Sequence, residues 1–292
     1  MILVTAANGN QGKELVPRLV AAGAEVRACV RSQESAQALR GAGVADVVVG
    51  DMTDPDVLAR ALHGVERAYY LGPALHPAET RMGLAAVDAA KAAGVGHLVL
   101  SSVLHPLITD LVQHVSKRDI EEHLVSSGME FTILQPANYM LRHRLLPAFE
   151  HGVFRLSWAL DRAQSMVDVG DVAEVAAAVL TEPGPHAGAT YELAAAGRFT
   201  AYDIARVIAE VTGREVVAEQ IDPDVFLRAA LGVDDLDQVP YQRDLLRAIG
   251  KRYSSSDFVG NPNVLTWLLG RTPTTFEQFV RRELDAFRAA RA

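Results

Sequence analysis

Two glycines three residues apart, Gly9 and Gly12 in TAANGNQG, follow a short apolar run rich in β-formers, Ile2 to Thr5, and precede a segment with helical spacing. A strand, a tight turn and a helix N-terminus in that order can cradle a pyrophosphate. Glycine lets the backbone approach it, and the helix start offers unpaired N–H groups with a partial positive charge. Thr5, Ala7, Gly9, Asn10, Gln11 and Gly12 are the candidates here, although such turns also arise for purely structural reasons. Arg31 lies 19 residues after Gly12, where an acidic residue usually holds the ribose hydroxyls of NAD. An arginine there can fork onto a 2′-phosphate instead. Its bland alternative is a solvated arginine at a strand end.

These residues need elements to position them, and the first half of the chain supplies a regular rhythm. The sequence predicts strands at Ala24 to Val30, Asp46 to Val49, Ala68 to Leu71, His97 to Ser101 and Phe131 to Leu134, with helices between. Asp54 and Pro55 form a cap and first-turn pair, Pro17 falls inside the first helix, and a helix is expected from about Ser116 to Ser127. Strands alternating with helices imply parallel βαβ units, and short continuous apolar runs imply a sheet covered on both faces. The expected fold is α/β, a doubly wound parallel sheet of six strands with a smaller C-terminal α/β lobe. The boundary falls at residues 1–137 and 138–292, with the lobe interleaved with the sheet.

In such a sheet ligands bind outside the carboxyl ends of the strands. That rule selects Gly9 to Gly12, Arg31, Asp51 with Met52, Gly72 with Pro73, Ser101 with Ser102, and Gln135 to Tyr139, including Pro136 and Asn138. Asp51 reads equally as a carboxylate capping its own loop and as an adenine contact. Gly72 and Pro73 also serve simply to end a strand. In the lobe, helices are expected over Tyr139 to Phe149, after Asp171, after Thr200 with Asp203, and from Thr274 with Glu277 as a capping box. A strand is expected at Thr190 to Leu193. Tyr139, Phe154 and Trp158 read either as pocket walls or as core.

Composition narrows the function classes. A net charge of −8 lacks the basic footprint of nucleic-acid binders. No apolar run is long enough to cross a membrane, and the expectation is a cytoplasmic protein acting as monomer or homodimer. The single cysteine, Cys29, sits in a strand-like run and reads as a buried, inert thiol. No Gly-x-Ser-x-Gly elbow, His-Glu-x-x-His or paired cysteines occur, and Gly12-Lys13 is followed by Glu14 without the earlier P-loop glycine.

Taken together, TAANGNQG, CVRS, GDMTDPDVLARAL, KAAGVGHLVLSS, SGMEFTILQPANYM and GRTPTTFEQFV resemble the NmrA-like branch of the atypical short-chain dehydrogenases. Within it the chain is similar to bacterial NAD(P)H:quinone oxidoreductases and triphenylmethane dye reductases. The resemblance implies an NAD(P)-binding Rossmann domain, NADPH as cofactor and a small-molecule electron acceptor. It also implies that Lys117 reaches the nicotinamide ribose and that Ser102 lies in the active-site serine region. A surface lysine paired with Glu121 at i,i+4 is the other reading of Lys117. His105 and His114 flank the same loop as potential acids.

Two departures stand out. Ala6 replaces the first glycine of the family's turn, and none of the seven tyrosines has a lysine four residues later; Gln113 and Lys117 occupy that spacing. Glutamine cannot donate a catalytic proton as a phenol can. A quinone becomes a stabilised phenolate on hydride addition and is protonated by water, so the missing acid suits a conjugated acceptor. Non-catalytic NADP(H)-sensing regulators of the NmrA type lack the tyrosine too, so both functions remain open at the level of sequence. A charge-assisted contact contributes roughly 1.5 to 3 kcal/mol, so Arg31→Asp is expected to reduce the NADPH over NADH preference by about 10- to 100-fold. An unchanged affinity ratio in a cofactor titration would remove this role from Arg31.

Overall fold

The computed structural model describes residues 1–44, 46–73 and 75–291. The chain divides into two units. The first comprises residues 1–109, 113–136 and 169–193, and the second residues 110–112, 137–168 and 194–292.

The first unit alternates strand and helix: β1 (Ile2–Val4), α1 (Asn10–Ala21), β2 (Val26–Val30), α2 (Gln33–Gly41), β3 (Asp46–Val49), α3 (Pro55–Leu62), β4 (Arg67–Tyr70), α4 (Glu79–Ala92), β5 (His97–Ser101), α5 (Val112–Ser126) and β6 (Phe131–Pro136). The caps follow the side chains available. Asp54 accepts from Asp56 N before α3, and Ser32 accepts from Ser35 N before α2. Helix α1 runs on through Pro17.

The chain leaves this unit at β7 (Asn138–Met140), α6 (Arg142–His151), β8 (Val153–Leu156) and β9 (Met166–Asp168), and returns as α7 (Val169–Thr181) and β10 (Ala189–Leu193). β10 pairs in parallel with β6, from Ala189 opposite Thr132 to Leu193 opposite Pro136. The sheet therefore has seven strands, ordered β10-β6-β5-β4-β1-β2-β3. By spacing alone this strand, Thr190 to Leu193, falls in the lobe and the sheet counts six; its partner is set by tertiary pairing far along the chain from β6. Helices flank the sheet. Leu58, Val87, Ile120 and Leu124 from α3, α4 and α5 share one apolar cluster with Leu3, Leu98 and Ile133, and α1 packs with α7. The strand order reverses between β1 and β4, both of which pair in parallel. Ligands of doubly wound sheets lie outside the strand ends at this switch point.

The second unit is completed by α8 (Ala201–Thr212), β11 (Val217–Gln220), α9 (Pro223–Leu231), α10 (Pro240–Ser255), α11 (Asn263–Leu269) and α12 (Phe276–Ala289). Two small parallel pairs, β11 with β8 and β7 with β9, sit among these helices. Three local expectations are corrected. Tyr139 lies in β7, and the helix starts only at Arg142. Helix α5 starts at Val112, four residues early, which places His114 inside it. The capping box before α12 uses Thr275 and Gln278, the frame that turns Phe276, Phe279 and Val280 inward. Thr200 and Asp203 cap α8 as expected.

Ala6 adopts φ +48°, a left-handed conformation that costs an L-residue roughly 1 to 2 kcal/mol. Ala6→Gly is expected to stabilise the fold by about 1 kcal/mol and to raise the melting temperature by about 2 °C. Calorimetry showing a lower melting temperature would mean that the turn is not strained.

Candidate functional site

The turn between β1 and α1 is built by close approach. A Cβ on Gly12 would collide with the backbone of Ala7, so the first turn of α1 lies directly on the strand end. Ala7 is fully buried and its N–H reaches the Cys29 carbonyl at 3.4 Å. Thr5 Oγ1 donates to Leu71 O at 3.1 Å and accepts from Leu71 N at 2.8 Å, tying β1 to the end of β4 at the switch point. Gln11 is buried and spends its amide on Ser101 Oγ, 3.0 Å away, and on the Tyr69 hydroxyl. Gly9 caps α1 with no side-chain acceptor, Asn10 opens the helix exposed, and the first turn carries no acidic residue. A helix start without a side-chain cap or a first-turn carboxylate presents a partial positive charge suited to an external anion.

A pocket with about 290 Å³ of space for water-sized sphere centres opens beside this turn. Of the residues expected from sequence, Thr5, Gly9, Arg31, Asp51, Met52 and Pro73 line it, together with Asn8, Tyr70 and His76. Arg31 is exposed at the end of β2. Asp51 accepts from Thr53 N at 2.8 Å, and this bond, with the Arg31 and His76 charges, holds its carboxyl below the usual range. It caps its own turn and lines the pocket at once. The Cys29 thiol also lines it, pushed up to about 11 by burial and by the Asp51 charge, so it stays protonated at neutral pH.

Lys117 is buried in α5 and its Nζ lies 2.9 Å from Glu79 Oε1 of α4. That pairing excludes the other reading of Lys117, a surface lysine paired with Glu121. One ammonium N–H meets the Glu79 carboxylate at this distance, and no other acceptor among the described residues is within reach of the remaining two. The Tyr70 hydroxyl, also buried, lacks a hydrogen-bond partner, and burial and the Glu79 charge raise its pKa. Both meet at Gly72, whose absent Cβ would stand 3.5 Å from Tyr70 Oη and 3.6 Å from Lys117 Nζ. Sequence reasoning missed Tyr70 and Glu79, because no spacing links residues on β4, α4 and α5.

Ser102 donates to Glu121, and Gln135 Nε2 reaches both Glu121 oxygens at 3.0 Å. Burial raises the Glu121 pKa against these hydrogen bonds and the Lys117 charge. Gln113 carries a buried Oε1 without a partner. His114 is buried and donates through Nδ1 to the His105 carbonyl at 2.9 Å. His105 stands 3.7 Å from Glu192. The Pro136 carbonyl accepts from Leu104 N at 3.0 Å. Asn138 belongs to the second unit, where its amide donates to Gln164 at 2.9 Å and accepts from Tyr253 at 3.2 Å. Tyr139 and Phe154 line a pocket of that unit, whereas Trp158 is core beneath Arg144.

A pyridine dinucleotide matches the donor set of the first unit. An uncapped helix start, an arginine at the β2 end, and the buried Tyr70 hydroxyl and Lys117 ammonium beside Gly72 lie along the carboxyl edge of one sheet. The comparisons agree in kind. The NAD(P)H azoreductase of Xenophilus azovorans is 29% identical over 99% of this chain and 100% of its own length. The Escherichia coli NADPH-dependent quinone oxidoreductase, solved in complex with NADPH, is 27% identical with a TM-score of 0.76, covering 97% of this chain and 99% of that one. The Citrobacter triphenylmethane reductase is 25% identical with a TM-score of 0.81, at the same coverage. The model of the NmrA-like family matches residues 1–249, and this chain belongs to that family.

Proposed function

We propose that the protein is an NADPH-dependent reductase that passes hydride to a conjugated small-molecule acceptor such as a quinone or a dye. The observation that carries this reading is the pair of buried donors at Gly72: the Tyr70 hydroxyl without a partner, and the Lys117 ammonium with N–H groups beyond the one that meets Glu79. A buried phenol without a partner and an ammonium only partly satisfied are costly unless a ligand supplies acceptors. Ribose hydroxyls fit both. The names of the relatives, for reduction of azo compounds, quinones and triphenylmethane dyes, favour the same class of acceptor.

NADPH, when bound, supplies the hydride. The first-turn N–H groups of α1 would hold the pyrophosphate, and Gly12 lets that turn rest on Ala7 at the strand end. Arg31 would take the 2′-phosphate as a charged fork. Glu79 positions the Lys117 ammonium through one N–H and leaves the others to donate to the ribose. Ser102 orients toward Glu121, which burial biases toward its protonated form. No phenol stands four residues before Lys117, and the chain relies on orientation of the reactants and on an acceptor whose reduced anion is intrinsically stabilised.

The test incubates pure protein with NADPH and a panel of quinones and cationic dyes, followed at the nicotinamide absorbance band. NADPH consumption is expected with several acceptors, and Lys117→Met is expected to weaken NADPH binding by about 10-fold or more. Absence of turnover with every acceptor, together with affinities that differ strongly between NADPH and NADP⁺, would replace this reading with a cofactor sensor.

A further inference from the structure

The second unit holds a pocket of its own, walled by Phe154, Phe199, Phe276 and Phe279 and polar at Arg144, Arg162 and Gln164. No carboxylate lines it. Its cations are unevenly matched. Arg162 sits 3.5 Å from Asp161. Arg144 has no carboxylate within ion-pair distance among the described residues. Its guanidinium lies 5.7 Å over the Trp158 ring, and desolvation lowers its pKa, with only the Tyr253 hydroxyl acting in the other direction. A desolvated, unpaired guanidinium is unfavourable in the free protein and is relieved by an anion.

A hydrogen-bond chain independently points to the same occupant. Tyr253 donates to Asn138 Oδ1 at 3.2 Å, and Asn138 Nδ2 donates to Gln164 Oε1 at 2.9 Å. Gln164 is 7% exposed, lines the pocket, and is left with a buried Nε2 donor that has no partner. Each amide hands its donor to the next, and the last one ends at the pocket. Charge and hydrogen-bond polarity therefore both call for an acceptor, while the four phenylalanines call for an apolar body. The space for water-sized sphere centres is about 20 Å³, enough for one small group. A planar carboxylate, which a guanidinium grips with two parallel bonds, suits it better than a bulkier tetrahedral anion.

We propose that this pocket binds a small organic monocarboxylate with a short aliphatic body, its carboxylate held by Arg144 and Gln164 with Arg162 at the side. The inference is independent of the cofactor reading, since every residue involved lies in the second unit.

The experiment titrates the full chain, without NADPH, in a Trp267→Phe background that leaves Trp158 as the sole indole; Trp267 is exposed. Acetate is expected to change the Trp158 emission saturably and to bind at least 10-fold more tightly than neutral acetamide at equal ionic strength. Arg144→Met and Gln164→Met are each expected to weaken acetate at least 10-fold. The Arg144→Met melting temperature is expected to hold or rise, because an unpaired cation is gone. Equal binding of acetamide, saturation by inorganic phosphate in place of acetate, or an Arg144→Met protein that melts lower yet binds acetate normally would overturn the proposal.

Discussion

The contact between Gly12 and the Ala7 backbone is the constraint on which the first unit depends. With no Cβ in the way, the first turn of α1 rests on the end of β1, and Gln11 reaches the Ser101 and Tyr69 hydroxyls behind the sheet. Thr5 then ties the same strand end to Leu71. One close approach therefore sets the helix start, the β1–β4 switch point and the ends of β4 and β5 relative to one another. Each link is short, so a displacement in any one carries to the others. Ala6 bears the backbone strain of that arrangement, since it occupies the left-handed region where glycine would be comfortable.

Electrostatics divide the first unit into groups that are held and groups that remain available. Glu79 fixes the Lys117 ammonium through a single carboxylate oxygen and leaves its other donors open, which is how a buried cation is both stabilised and kept competent to bind. Arg31 stays exposed at the β2 end. Cys29 sits in the same pocket, but desolvation and the Asp51 charge keep it a thiol, so it contributes packing and no nucleophile. Glu121 is gripped by Ser102 and Gln135 on its oxygens. The second unit shows the reverse imbalance: a guanidinium and an amide donor face a pocket without any acidic lining.

Much of the fold was legible because its signals are local. The strands β2 to β6 are short apolar runs, the helix caps at Asp54 and Thr200 are side chains that satisfy their own N–H groups, and the glycine turn precedes a helix. Other features depended on competition between equivalent frames. Thr274 with Glu277 and Thr275 with Gln278 are both capping boxes in sequence, and the burial of Phe276 and Phe279 selects the second. At Tyr139 pairing with Val167 overrode helical spacing.

By itself the sequence determined the doubly wound class, the glycine turn before α1, the arginine at the β2 end and the absence of a tyrosine paired with Lys117. These are properties of spacing and residue type, and they hold wherever the chain is. Only the tertiary structure decided that β10 completes the sheet, that Lys117 pairs with Glu79 and leaves Glu121 to Ser102, and that Tyr70 joins Lys117 at Gly72. It also placed Asn138 and Gln164 in a donor chain that ends at a pocket. Each of these joins groups far apart along the chain, and which partners meet is set by how the helices pack on the sheet.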